Sequence, residues 1–254
     1  MVKPVGDDGY VTCSSCRCPE VPVPLPPFYE TTHKIVAPLI KVIWRPRVEG
    51  IENIPRTGRF IVASNHLAFL DSFVIPVTAP RKVRFLVKSD YWKRKGLIGL
   101  LQRSFFVLVG SVPVDRGTLK SAQGSLDVML KILEQEDGIG IYPEGTRSRD
   151  GRLYRGRSGA AWLAMASGAP VIPVGLHGTE KIMPKGAWLP RLVKVTVRFG
   201  SPVTFEDIDP SLPVSARRQL MTTRIMDAIA ELSGQERADS LNKPLPSPTS
   251  EPEN

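Results

Sequence analysis

An α/β domain is the architecture this sequence predicts, on three observations. Short apolar runs, such as Phe60-Ile61-Val62-Ala63 and Ile139-Gly140-Ile141, alternate with longer stretches whose apolar residues return every three or four positions. Glycines stand where those longer stretches would stop as helices. A length of 254 residues with 42% hydrophobic content is enough to bury one sizeable core without dividing into two.

Taken in order, residues 1–27 mix charged and polar groups with the run Val21-Pro22-Val23-Pro24-Leu25-Pro26-Pro27. Such a segment cannot offset its own ordering entropy, so a flexible Cys/Pro-rich tail is expected. The folded domain is expected over residues 28–233. It opens with a short, kinked, basic amphipathic helix within 28–44, where Ile35, Val36, Leu39, Ile40, Val42 and Ile43 are accompanied by Lys34, Pro38 and Lys41. That helix suits either anionic lipid headgroups or the surface of the domain core. The strand at Phe60 to Ala63 follows. Leu97 to Val114 is the longest apolar region, but Gln102, Arg103 and Ser104 interrupt it. A membrane-spanning helix needs ~20 mostly apolar residues, so an interfacial or buried segment is expected here.

Leu119, Ala122, Leu126, Met129 and Leu133 recur at helical spacing, with Gly138 as the expected stop. A second helix should begin near Ser158 and end at Gly168, and a third should cover residues 214–232 with Met221, Ile225, Ala228 and Leu232 as its stripe. Between them, Val193, Val195, Val197 and Phe199 alternate with Lys194, Thr196 and Arg198, the period of a half-exposed strand. Residues 234–254 read as a disordered tail rich in Ser, Pro, Glu and Asn. There is no internal repeat.

The net charge of +9 and pI near 9.6 call for an anionic partner: a membrane surface, an anionic substrate or nucleic acid. Position favours lipid. Arg81, Lys82, Arg84 and Lys88 are followed by Tyr91, Trp92, Lys93, Arg94 and Lys95, just before Leu97-Ile98-Gly99-Leu100-Leu101. Aromatics between basic and apolar residues suit a lipid interface.

Two segments carry chemistry. In Ser64-Asn65-His66-Leu67-Ala68-Phe69-Leu70-Asp71, an imidazole and a carboxylate stand five residues apart in an apolar setting. Five residues turn ~500° of helix, so the two would not share a helix face. His66 is therefore expected just before a helix that carries Asp71, folded back over its first turn. A neutral imidazole held this way can take the proton of an attacking hydroxyl, while the carboxylate fixes its tautomer and stabilises the imidazolium. In Tyr142-Pro143-Glu144-Gly145-Thr146-Arg147-Ser148, an arginine beside a glycine turn suits a phosphate, which guanidinium grips bidentately and exposed amides approach closely.

With these residues in view, the chain resembles the 1-acylglycerol-3-phosphate acyltransferase family, whose four blocks can be matched in order. They are Asn65-His66 with Asp71; Gly110-Ser111-Val112-Pro113-Val114-Asp115-Arg116; Glu144-Gly145-Thr146-Arg147; and Val171-Ile172-Pro173-Val174. The second block departs from the family where Val112-Pro113-Val114 replaces bulkier, phenylalanine-containing versions. The resemblance covers roughly residues 45–200. It implies a single α/β domain of the glycerolipid acyltransferase type, with a mixed central sheet flanked by helices.

The resemblance also implies that His66 is the general base and Asp71 its partner. Arg116, Glu144, Gly145, Thr146 and Arg147 would form the phosphate and glycerol side, with Asn65 and Pro173 lining the pocket. The implied reaction moves an acyl group from an acyl-CoA or acyl-carrier-protein thioester to the sn-2 hydroxyl of lysophosphatidic acid, with no cofactor and no metal. Glycerol 3-phosphate or a lysophospholipid is the alternative acceptor. A non-catalytic protein binding anionic membranes or nucleic acid would leave both segments unexplained, and no nucleic-acid partner is expected.

Cys13, Cys16 and Cys18 have zinc-like spacing but no fourth local ligand, so no metal site is expected there. His177, after the fourth block, suits either the pocket or the core. Residues 1–8 lack the apolar stretch of a signal peptide, so the expected location is peripheral (monotopic), on the cytoplasmic face of the membrane.

Overall fold

The computed structural model describes residues 10–11, 21–22, 44–88, 110–114, 119–184, 189 and 191–243, with single positions at 38, 41, 42, 96 and 99. A seven-stranded sheet forms the centre, in the order β3-β10-β9-β4-β7-β5-β6. Its members are β3 (Arg47–Glu49), β4 (Phe60–Ser64), β5 (Val83–Lys88), β6 (Val112–Val114), β7 (Gly138–Ile141), β9 (Val171–His177) and β10 (Thr196–Phe199). Strands β9, β4, β7, β5 and β6 run parallel; β10 is antiparallel to β9, and β3 follows β10 in parallel. The sheet is therefore mixed, as expected. Outside it, β1 (Tyr10–Val11) pairs with β2 (Val21–Pro22), and β8 (Leu153–Arg155) pairs with β11 (Arg237–Leu241).

Among the described residues, the helices flanking the sheet are α1 (Asp71–Thr78), α2 (Leu119–Glu134), α3 (Gly159–Ser167) and α4 (Val214–Ser233). Successive side chains of a strand point to opposite faces, and β4 shows the result. Ile61 and Ala63 pack with Met129, Ile132 and Leu133 of α2, Leu163 of α3 and Ile225 of α4. Phe60 and Val62 pack on the other face with Ile75 of α1, Phe85, Ile172 and Val174. Both faces are covered, so all five residues of β4 are buried, and Phe60 to Ala63 read as one apolar run.

Strand β7 shows why glycine alternates with isoleucine there. A Cβ on Gly138 would lie 2.3 Å from the Phe60 ring, and one on Gly140 would lie 2.0 Å from the Phe85 ring. The missing side chains are the space those two rings occupy. Gly138 is thus the first residue of a strand rather than the stop of α2. That helix ends at Glu134, and Gln135 and Glu136 turn back to the Ile132 and Leu133 carbonyls, with Glu136 at φ 62°.

The helix ended by Gly168 and the helix from residue 214 form where the sequence places them. The strand expected over 193–199 is shorter, at Thr196–Phe199, although Val193, Lys194 and Val195 keep the alternation of half-buried, exposed and buried.

The boundary at 234 moves. Residues 237–241 form β11, and Ala238 and Asn242 are buried. Backbone pairing and polar contacts hold this segment, so its low apolar content concealed it. The lipid-facing basic cluster also loses members. Arg84 is only 2% exposed, with the Asp137 carboxylate 3.9 Å away. Arg81 donates to the carbonyls of Pro55 at 2.8 Å and Gly58 at 2.7 Å, tying loops together. Lys93, Arg94, Lys95, the cysteines, His33, Arg116, residues 244–254 and most of 28–44 and 97–109 lie outside the described residues. Among the described residues, no helix is long and apolar enough to cross a membrane.

Gly140→Ala should lower stability by about 1–3 kcal/mol, because the added methyl must displace the Phe85 ring. An unchanged denaturation midpoint would reject the packing role of this glycine.

Candidate active site

The parallel strands β9, β4 and β7 are neighbours, and the loops leaving their carboxyl ends meet. Asn65, the first residue past β4, has no exposed surface. Its Oδ1 accepts from the Leu176 amide at 2.8 Å, and its Nδ2 donates to the Leu176 carbonyl at 3.0 Å and to Gln235 Oε1 at 2.8 Å. The side chain thus extends the β4–β9 ladder by one step. Asn65 is a tie beneath the loop rather than pocket lining, because every polar atom of its amide is spent on this work.

His66 and Asp71 meet as the spacing requires. Asp71 is the first residue of α1 and is fully buried. Its Oδ2 accepts from His66 Nδ1 at 2.8 Å, from the Leu67 amide at 2.7 Å and from the Ala68 amide at 2.8 Å. The loop is folded around one carboxylate oxygen, and the positive end of α1 favours its negative charge. A proton on Nδ1 facing this carboxylate leaves the lone pair on Nε2, where a base would act.

The imidazole is also held by its face. The Tyr142 ring stacks on it with centroids 3.8 Å apart and planes 7° from parallel. Phe85 lies behind Tyr142, at 5.1 Å, in the room Gly140 leaves. The Tyr142 hydroxyl lies 3.0 Å from Ser72 Oγ, so the first two residues of α1 hold the histidine by its edge and its stacking plate. The sequence shows Tyr142 beside the Glu144 segment, but nothing in its pattern signals a stack across 76 positions.

Glu144 is likewise fully buried. Its Oε1 accepts from the His66 amide at 3.1 Å, and its Oε2 accepts from the Tyr154 amide at 3.0 Å. The Ser148 amide donates to the His66 carbonyl at 2.7 Å, so both backbone groups of His66 are fixed from the β7 side. This corrects the expectation that Glu144 contacts phosphate or glycerol: it lies behind the base and clamps its main chain. Burial raises its pKa to about 7, against the two amide donors, with the nearby charges of Asp71 and Asp150 adding to the rise.

Gly145 turns the chain at φ 79°, and its amide donates to the Tyr142 carbonyl at 3.0 Å. The Arg157 Nε would lie 2.8 Å from a Cβ at this position, so the guanidinium rests directly against the glycine. Thr146 and Arg147 follow, and Asn242 Nδ2 donates to their carbonyls at 3.3 and 3.2 Å. Arg157 Nη2 in turn donates to the Asn242 carbonyl at 3.3 Å. Arg147 is exposed, with no side-chain partner among the described residues. One guanidinium, Arg157, missed from sequence, therefore stands against the Gly145 turn, and Arg147, expected from sequence, follows that turn two residues on. Gln235 and Asn242 were missed because the sequence places them in a tail.

Other expected site residues fare differently. Pro173 is buried in the middle of β9, its Cγ 2.9 Å from the place a Gly200 Cβ would take, and so belongs to the sheet's packing rather than the pocket wall. His177 Nε2 lies 2.9 Å from the Leu232 carbonyl oxygen at the end of α4, a structural contact. Arg116 lies outside the described residues.

A carboxyl at about 7 in the folded chain and near its ordinary 4.5 when unfolded binds its proton more tightly folded. Its contribution to stability is full below 4.5 and is lost as pH rises through about 7. Wild type should therefore lose stability relative to Glu144→Gln as pH rises across that interval, by on the order of 3 kcal/mol at most. A difference in denaturation free energy that stays flat with pH would reject a neutral Glu144.

Comparison with known proteins fits this geometry. The chain is 30% identical over 167 residues to the chloroplastic 1-acyl-sn-glycerol-3-phosphate acyltransferase of Arabidopsis thaliana, covering 63% of this chain and 45% of that one. It is 28% identical over 206 residues to the Bacillus subtilis protein of the same activity name, covering 79% and 96%. The chain spans about half the length of the curated plant relatives it matches. The crystal structure of the 1-acyl-sn-glycerophosphate acyltransferase of Thermotoga maritima has the same fold, with a TM-score of 0.59, 24% identity and coverage of 82% and 84%. A family model described as acyltransferase matches residues 45–177, just over half of the sequence and the whole stretch from β3 through β9 that builds the His66 and Glu144 loops. The chain belongs to the acyltransferase family.

Proposed function

We propose that the protein transfers a fatty acyl group from an acyl thioester to the sn-2 hydroxyl of 1-acylglycerol 3-phosphate, giving phosphatidic acid for phospholipid synthesis. The observation that carries this reading is the His66–Asp71 pair, with Nδ1 committed to the carboxylate and Nε2 left to act as base. The names of the relatives in Arabidopsis thaliana and Bacillus subtilis support the choice of acceptor.

In the proposed reaction, Nε2 removes the proton of the acceptor hydroxyl while its oxygen attacks the thioester carbonyl. The tetrahedral intermediate collapses with cleavage of the carbon–sulfur bond, and the imidazolium returns the proton to the leaving thiolate. The ester and the free thiol are the products, and no acyl-enzyme is formed. Asp71 keeps the imidazole in the reactive tautomer, Tyr142 limits its tilt, and Glu144 fixes the main chain from which it hangs. Arg147, at the Gly145-Thr146 turn, and by resemblance Arg116, take the acceptor phosphate; guanidinium geometry suits its oxygens. The donor is an acyl-CoA or acyl-carrier-protein thioester. The enzyme works as a peripheral (monotopic) protein on the cytoplasmic face of the membrane, with residues 28–44 against anionic headgroups.

Thiol release from palmitoyl- and oleoyl-CoA with lysophosphatidic acid, glycerol 3-phosphate or lysophosphatidylcholine tests the reading. His66→Ala should lose ~100- to 10,000-fold in turnover with lysophosphatidic acid, the range for a positioned general base. Near-normal turnover in the folded variant would sink the mechanism. Arg147→Ala should raise the Michaelis constant for lysophosphatidic acid more than it lowers turnover, since a phosphate grip is made before the transition state as well as in it. An effect on turnover alone would remove Arg147 from that role.

A further inference from the structure

Large apolar side chains that stay exposed are informative when they gather. Val42, Met183, Leu189 and Leu192 are 66%, 45%, 57% and 73% exposed. They belong to two segments far apart in sequence, which the fold brings together. Trp44 Nε1 donates to the Arg191 carbonyl at 3.2 Å, and the Arg191 amide donates to the Ile182 carbonyl at 2.8 Å, which ties residue 44 to residues 191 and 182. Ile182 is buried in the core, and Trp44 and Val193 pack against it, so the exposed aliphatic groups stand on an anchored base.

Their surroundings are basic. Lys41, Arg45, Lys181, Arg191 and Lys194 are all exposed, while Glu180 is the one carboxylate in residues 41–45 and 178–195. Their place in the sheet is equally specific. Residues 178–195 connect His177, at the end of β9, to Thr196, at the start of β10, and these two residues are paired. Thr196 also pairs with Arg47, three residues after Trp44. Strands β4 and β7 run parallel to β9, so the loops carrying His66 and Glu144 leave from this same end of the sheet.

We infer that Val42, Met183, Leu189 and Leu192, with the exposed cations around them, form one membrane-docking face, seated on an anionic bilayer, that brings the His66 end of the sheet to the lipid surface. The inference rests on the reading that the acceptor is a lipid, and it adds a second element to the 28–44 segment. Exposed aliphatic groups enter the headgroup boundary while the five cations meet anionic headgroups. Charge complementarity selects this occupant, because a second copy of the chain would bring the same positive face against itself.

The test is sedimentation of the full chain with vesicles of phosphatidylcholine alone or mixed equally with phosphatidylglycerol. Met183→Ser/Leu189→Ser/Leu192→Ser should bind the mixed vesicles about tenfold or more weakly than wild type. Lys181→Glu/Arg191→Glu should lose the preference for anionic vesicles. Both variants should keep turnover on a water-soluble short-chain acceptor within about twofold, as surface changes remote from the base do. The docking face is overturned if the triple variant binds mixed vesicles like wild type, or if wild type shows no preference for them. It is also overturned if the triple variant only converts a dimer to a monomer. Absence of turnover on the soluble acceptor in wild type would instead remove the catalytic reading, since vesicle binding is read independently of it.

Discussion

Everything at the site hangs from one buried carboxyl. Glu144 takes the His66 amide on one oxygen and the Tyr154 amide on the other, joining the loop after β4 to the strand β8 through a single side chain. Such a group is costly to bury alone, and two donated amides offset part of the cost. The geometry repays it. The main chain of His66 is held on one side by Glu144 and on the other by the Ser148 amide, so the imidazole starts from a fixed root before any substrate arrives. Pre-set geometry of this kind is what a proton-transfer step requires.

The side chain is then constrained in two perpendicular directions. Asp71 holds the imidazole in its plane through Nδ1, and the Tyr142 ring resists tilting out of it. Both restraints trace to α1, through Asp71 itself and through Ser72 against the Tyr142 hydroxyl. They also trace to the core: Gly140 gives room to Phe85, Phe85 backs Tyr142, and Tyr142 backs His66. A glycine in the middle of the sheet is thereby coupled to the orientation of the base.

Much of this was legible in advance, and the exceptions have physical causes. Periodicity located α2, α3 and α4, because their apolar stripes face one side of the sheet. The His66–Asp71 spacing was legible because a pair five apart does not share a helix face but can meet where a turn enters a helix. Roles that depend on distant partners were not. Asn65, Glu144 and Pro173 look like site residues in the chain, yet burial gives them to the scaffold, while Arg157 stands against Gly145 with no local sign. Arg84 resembles a surface cation but is enclosed in the sheet. Residues 235–242 read as tail because polar hydrogen bonds, not apolar contacts, secure them.

That last segment bears on the order in which the molecule can be assembled. Asn65 takes a partner from Gln235, 170 positions onward, and the turn at Thr146 and Arg147 takes one from Asn242. Contacts of such long sequence separation carry a loop-closure cost that the rest of the fold must offset. During synthesis, a ribosome-bound chain already exposes His66, Asp71 and the Gly145 turn while their closing partners are still unmade. The full set of ties beneath the site is thus complete only once residues 235–242 have joined it, and a nascent chain has the chemistry's residues before the last of their supports.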